Sequence, residues 1–223
     1  MSGPEIRRLP VWGKALRLSH WSLALATLVL LCTGGLIRWA PERAQALDEI
    51  HFISAAVLIA ALVARLWLLF AGTRTERLGA LLPNRHRLTQ AWGTLRSYMT
   101  LGKIRLPRWY AHNPLWAMLY LLLFLVLCIQ ILTGLLLLNH ITLLGDLSLR
   151  QLHLLGYVVI LGFVILHVLA SFFHDTQGDG SDISAMISGQ RIFIVEEAAK
   201  PPPANDNVVV TLDPAKFRKP EKP

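Results

Sequence analysis

Charge is scarce in this 223-residue chain. Asp, Glu, Lys and Arg make up 16% of it, where a soluble domain carries roughly a quarter. With 54% hydrophobic residues, that shortage excludes a disordered chain and argues against an ordinary soluble globule. Cysteine is scarcer still. Cys32 and Cys128 are the whole supply, which excludes a disulfide-rich secreted scaffold. They sit alone on separate apolar runs and are expected to be core packing rather than ligands. There is no CxxCH, Walker or GxGxxG motif, so covalent haem attachment, nucleotide and flavin binding lack support. No Ser/His/Asp set or carboxylate pair is discernible, and no internal repeat is visible.

What the chain has is long apolar runs. Four stand out, at roughly 16–37, 50–70, 115–138 and 152–173. Each reaches or approaches the ~20 residues a helix needs to cross a bilayer core. Each is also far longer than the ~10-residue alternating segments of a membrane barrel. The sequence therefore predicts an all-α integral membrane four-helix bundle over residues 1–197. Residues 198–223, with Pro201, Pro202, Pro203, Pro214, Pro220 and Pro223, read as a disordered Pro-rich tail. The stretch 183–191 reads as a short amphipathic helix on the membrane surface. The first run has no small-residue cleavage site and reads as an uncleaved helix.

The few charges are unevenly placed. Residues 1–17 hold Arg7, Arg8, Lys14 and Arg17, and eight Lys and Arg lie in 71–113. The other two connections hold only Arg38, Arg43 and Arg150, offset by Glu42, Asp48, Glu49 and Asp146. By the positive-inside rule both termini and the 71–113 segment are expected to be cytoplasmic. Topology thus accounts for the net charge of +8 without nucleic acid, and some of it can face anionic lipid.

Eight histidines are present, and ionisable groups at membrane depth are costly enough to suggest function. His153 and His167 are 14 residues apart on one run, about 21 Å along a helix and close to one face. A helix so equipped can give one axial ligand to each of two stacked haems. His20 lies near the cytoplasmic start of the first run, at the depth of His167. His51 lies near the outer start of the second, at the depth of His153. Neutral imidazole is a good iron ligand. Four histidines in two depth-matched pairs outweigh the alternative, that each is an interhelical hydrogen-bond partner. His174, seven residues beyond His167, is the rival inner ligand, beside Asp175 at the interface. His86 and His140 read as solvated.

Gly34 lies 14 residues after His20 and leaves room for a porphyrin plane at the outer depth, as Gly35 and Gly134 can. Close helix packing explains these glycines equally well. Arg65 lies 14 residues after His51 and can pair with a haem propionate, or snorkel to the interface.

RLSHW at 17–21, IHF at 50–52, RLW at 65–67, AHNPL at 111–115, HLLGY at 153–157, LHV at 166–168 and ISAMISGQR at 183–191 resemble one family. It is the membrane-bound di-haem b-type cytochrome subunit of nickel–iron hydrogenases, akin to the formate dehydrogenase gamma subunit. The resemblance covers roughly residues 11–194. It implies two haems b, the outer on His51 and His153 and the inner on His20 and His167, the pairs that depth alone gave. It implies electrons arriving from periplasmic iron–sulfur and catalytic subunits and leaving to membrane quinone. Quinone contacts fall at the start of the third run, here His112 and Asn113, which equally suit helix capping or a propionate contact. Homodimerisation within a larger complex is compatible with it. Both outward connections are shorter than those such cytochromes often use to dock a partner. The runners-up are an anchor for formate dehydrogenase or another periplasmic oxidoreductase, and a stand-alone quinone-linked cytochrome such as a superoxide oxidase. A haem-free bundle using its histidines for proton movement is a different class.

Overall fold

A computed structural model describes residues 5–177 and 182–195. Four long helices dominate: α1 (Lys14–Trp39), α2 (Ala44–Ala71), α4 (Pro114–Leu138) and α5 (Leu149–Thr176). All four are long and apolar enough to cross a membrane. They extend the runs read from sequence by up to several residues at an end, because the terminal turns carry polar residues, such as Gln45, Asp48 and Glu49 in α2, that a hydropathy reading leaves out. Asn113 Oδ1 accepts from the Leu115 amide at 2.9 Å, with Pro114 in the first turn where its missing N–H costs nothing. Ser148 plays the capping part for α5.

α1 packs along α2 and α4 along α5. Ala26, Leu31, Leu58, Leu62, Leu127 and Ile160 form the shared core. Much apolar surface faces outward, including Leu25, Val57, Leu125 and Leu166. Lipid is as apolar as these side chains, so packing rather than water exclusion holds the bundle together. Cys32 and Cys128 are exposed, not part of the core as expected. Each is a small residue on the outward face of its helix, where lipid takes the place of protein packing.

The two ends differ. The distal end is minimal: residues 40–43 join α1 to α2, and a hairpin of β2 (Leu143–Leu144) and β3 (Leu147–Ser148) joins α4 to α5. The proximal end carries everything else. There, β1 (Glu5–Pro10) pairs antiparallel with β4 (Gln190–Val195), so both ends of the described chain meet. Between α2 and α4 lies α3 (Arg85–Met99), capped by Asn84 and packed on α4 through its buried Ala91, Thr94 and Ser97 face. Of the stretch 183–191, expected as a short surface helix, residues 183–188 lie in α6 (Asp182–Ser188), whereas Gln190 and Arg191 belong to β4, drawn into the ribbon by pairing with β1. Gly189 joins them at φ +86°, and a side chain there would crowd the Trp12 carbonyl, so only glycine suits this turn. The proline-rich segment 198–223 lies outside the described residues.

Candidate metal centres

His20 and His167 meet inside the proximal half, with ring centroids 6.3 Å apart. Two metal–nitrogen bonds of about 2 Å, with each centroid about 1 Å behind its nitrogen, span about 6 Å. The gap therefore fits one metal ion held by two imidazoles. Among the described residues no three His, Cys, Asp or Glu side chains converge. A two-imidazole site leaves the remaining ligand positions to a macrocycle, which is the chemistry of haem rather than of a protein-built cage. His167 is walled by Trp116, Tyr120 and Phe163, with ring centroids 5.2, 5.8 and 5.8 Å away. Arg65 is buried, with its guanidinium 5.4 Å from the Phe124 ring centre and Nη1 donating to the Glu76 carbonyl at 3.3 Å. It has turned inward rather than snorkelled out, and it lies close enough to act electrostatically on His20.

His51 and His153 occupy the distal half, close enough to interact electrostatically. Each has a threonine on a neighbouring helix. Thr33 Oγ1 lies 2.8 Å from His51 Nδ1, and Thr133 Oγ1 lies 2.9 Å from His153 Nδ1. Each hydroxyl also lies 2.9 Å from the carbonyl four residues earlier, Val29 and Ile129. The residue after each threonine is glycine. A Cβ on Gly34 would stand 3.6 Å from His51 Cε1, and one on Gly134 would stand 3.3 Å from His153 Cε1. Both glycines thus let an imidazole edge lie against a helix backbone. Gly35 faces the Tyr157 hydroxyl instead. An interhelical hydrogen bond of this kind contributes only about 0.6 kcal/mol in a membrane, so it orients more than it stabilises.

The remaining sequence candidates form a polar cluster at the proximal end. Asn113 is buried and points Nδ2 toward His174 Nε2 at 3.4 Å and the Tyr98 hydroxyl at 3.5 Å. His174, the rival ligand, is committed at both ring nitrogens. Nε2 lies 2.6 Å from the Tyr98 hydroxyl, and Nδ1 lies 3.3 Å from Asp182 Oδ2. It is a member of this cluster, not of the pair around His20. Trp116 Nε1–H donates to Tyr98 at 2.8 Å, and Arg191 pairs with Asp182 at 3.0 Å. Burial pushes the Tyr98 hydroxyl up to about 12, so it stays protonated and donates to His174. His112 lies beside this cluster, with Nε2 2.9 Å from the Thr75 carbonyl. Burial pushes it down to about 4, against the pull of that carbonyl and helped by the Arg65 and Arg87 charges. Neutral His112 therefore donates from Nε2 and keeps its Nδ1 lone pair. His86 and His140 are exposed.

The sequence reading missed Thr33, Thr133 and Tyr98. The signal for the threonines was present as a Thr-Gly dipeptide in each of two apolar runs. Tyr98 gave none, since its partner His174 is 76 residues away.

A four-span bundle with two partly buried imidazole pairs at different depths suits one class, the membrane cytochromes. The model of the prokaryotic cytochrome b561 family matches residues 11–189. The chain is 30% identical over 222 residues to a Cupriavidus necator protein named "Probable Ni/Fe-hydrogenase B-type cytochrome subunit", covering 86% of this chain and 90% of that one. No solved structure matches. The chain belongs to the prokaryotic cytochrome b561 family. It is a multi-pass electron-transfer cytochrome of the b type in the bacterial inner membrane, and haem b is its cofactor class.

Proposed function

We propose that this chain holds two haems b and carries electrons from a periplasmic oxidoreductase, a nickel–iron hydrogenase, to membrane quinone. Bound haem supplies one-electron redox chemistry that no side chain here can supply. His20 and His167 would hold one group in the proximal half, and His51 and His153 the other in the distal half. The observation that carries this reading is the presence of two separate imidazole pairs along one bundle. The aromatic wall around His167 excludes water there. Arg65, buried and cationic, is placed to balance a propionate. Gly34 and Gly134 keep helix surface clear beside the distal imidazoles.

The basic proximal end faces the cytoplasm in this reading, and the short distal connections face the periplasmic donor. Quinone binds near His112 and Asn113. Neutral His112 offers the Nδ1 lone pair to a quinol hydroxyl, and Asn113, its Nδ2 directed to Tyr98 and His174, orders the polar cluster beside it. The hydrogenase assignment of the donor follows the name of the Cupriavidus necator relative. The shortness of the distal connections favours a second reading, a cytochrome that works without a docked metalloenzyme.

A pyridine haemochrome assay with an iron count tests the first claim, and two irons per chain are expected. A colourless purified chain sinks it. Affinity capture from membranes separates the two donor readings: a co-purifying metalloenzyme supports the first, and a quinone-active single chain supports the second.

A further inference from the structure

We infer that Thr33 and Thr133 are positioning residues that fix His51 and His153 as Nδ1–H tautomers with Nε2 turned to the metal. The inference rests on the reading that these histidines are haem ligands. A hydroxyl has one hydrogen. In each threonine that hydrogen has a backbone acceptor one turn earlier, Val29 for Thr33 and Ile129 for Thr133, at 2.9 Å in both cases. Each Oγ1 is then left as an acceptor toward the histidine, at 2.8 Å from His51 Nδ1 and 2.9 Å from His153 Nδ1. A neutral imidazole facing an acceptor through Nδ1 carries its proton there, which leaves the Nε2 lone pair for metal. Backbone carbonyl, hydroxyl and imidazole form one ordered chain of donors and acceptors at each site.

Two features make a coincidence of packing a poor explanation. The arrangement occurs twice, on different helix pairs, with the same atoms and nearly the same distances. In both copies the threonine is followed by a glycine whose missing side chain lies beside the imidazole Cε1. α1 thus seats the histidine of α2, and α4 seats the histidine of α5, by the same Thr-Gly device. His20 and His167 are set differently, by aromatic rings, so the device is specific to the distal pair.

An acceptor on Nδ1–H makes the imidazole a stronger electron donor to iron, which favours the ferric state. Thr33→Val and Thr133→Val keep the shape and delete the acceptor. Thr33→Ser and Thr133→Ser keep the acceptor. The test is a spectroscopic redox titration of the purified full chain, with haem loss to an apoglobin scavenger measured in parallel. Expected are a higher potential for one of the two components in each valine variant and an unmoved second component. Roughly tenfold weaker haem retention at that site is also expected, with both effects reversed in the serine variants. Valine variants that strip one haem while serine variants retain it also support the role. Unchanged potentials and retention in the valine variants overturn it, as do serine variants that fail alongside valine. A wild-type chain without haem is a different failure, that of the ligand reading itself.

Discussion

At the distal end of the bundle, His51 and His153 each lean on a threonine hydroxyl, whereas at the proximal end His20 and His167 sit among Trp21, Trp116, Tyr120 and Phe163. A hydroxyl partner acts on one ring nitrogen and so sets direction and basicity. An aromatic wall acts on the ring face and so sets position and dryness. The surroundings follow the same division. The distal end has short connections and little polar structure, while the proximal end is closed by a β-ribbon, two short helices and a buried cluster around Tyr98. In the proposed function the donor meets the plain end and quinone the elaborated one. The difference teaches that one helix, α5, can serve two environments because its neighbours differ at each depth.

The largest expected effect separates the two ends outright. His153→Ala and His20→Ala should each lower iron from two to one per chain, and each should remove a different redox component. A variant that loses both or neither breaks the two-centre comparison. Next comes Gly134→Val. Its added bulk stands where a Cβ already comes within 3.3 Å of His153, and overpacking of this kind costs about 1–3 kcal/mol. Its thermal midpoint in detergent should fall, whereas Gly162→Ala, which meets nothing within 4 Å, should leave it level or higher.

Tyr98→Phe probes the proximal end alone. It strips partners from the Trp116 N–H and from His174 and should cost about 1–3 kcal/mol. Hydrogen exchange should rise in α3 and α6 and stay level at the distal end. Arg65→Leu should lower the proximal potential, because a nearby cation favours the reduced state, and an unmoved titration would count against the placement.

The smallest effect is in pH. His112 is held below its ordinary value of 6.5, at about 4, so its neutral form belongs to the folded state. Its contribution to stability is full above pH 6.5 and is lost as pH falls toward 4. His112→Gln should flatten that slope.

The four spans were legible because length and apolarity alone satisfy the backbone in lipid. The histidine pairs were legible because 14 residues is nearly four turns. The ribbon was not, since β1 gains its partner only across some 185 residues of chain. Helix α3 was hidden in a basic segment whose Arg85, Arg87 and Arg96 drew attention to orientation rather than to its small buried face. His174 looked like a ligand by spacing, and only the approach of Tyr98 and Asp182 from elsewhere reveals its other partners. The threonines needed the fold too, because a hydroxyl in an apolar run announces no acceptor role until the neighbouring imidazole is known.

The pairing of β1 with β4 has a consequence for biosynthesis. The first strand is made before any of the four spans, yet its complement is completed only at Val195. Throughout translation and membrane insertion the N-terminal strand is an open edge, and it closes when the last span is already in place. Closure of the ribbon thus marks a bundle whose four spans are all made, and a premature stop before β4 leaves that edge open to quality control.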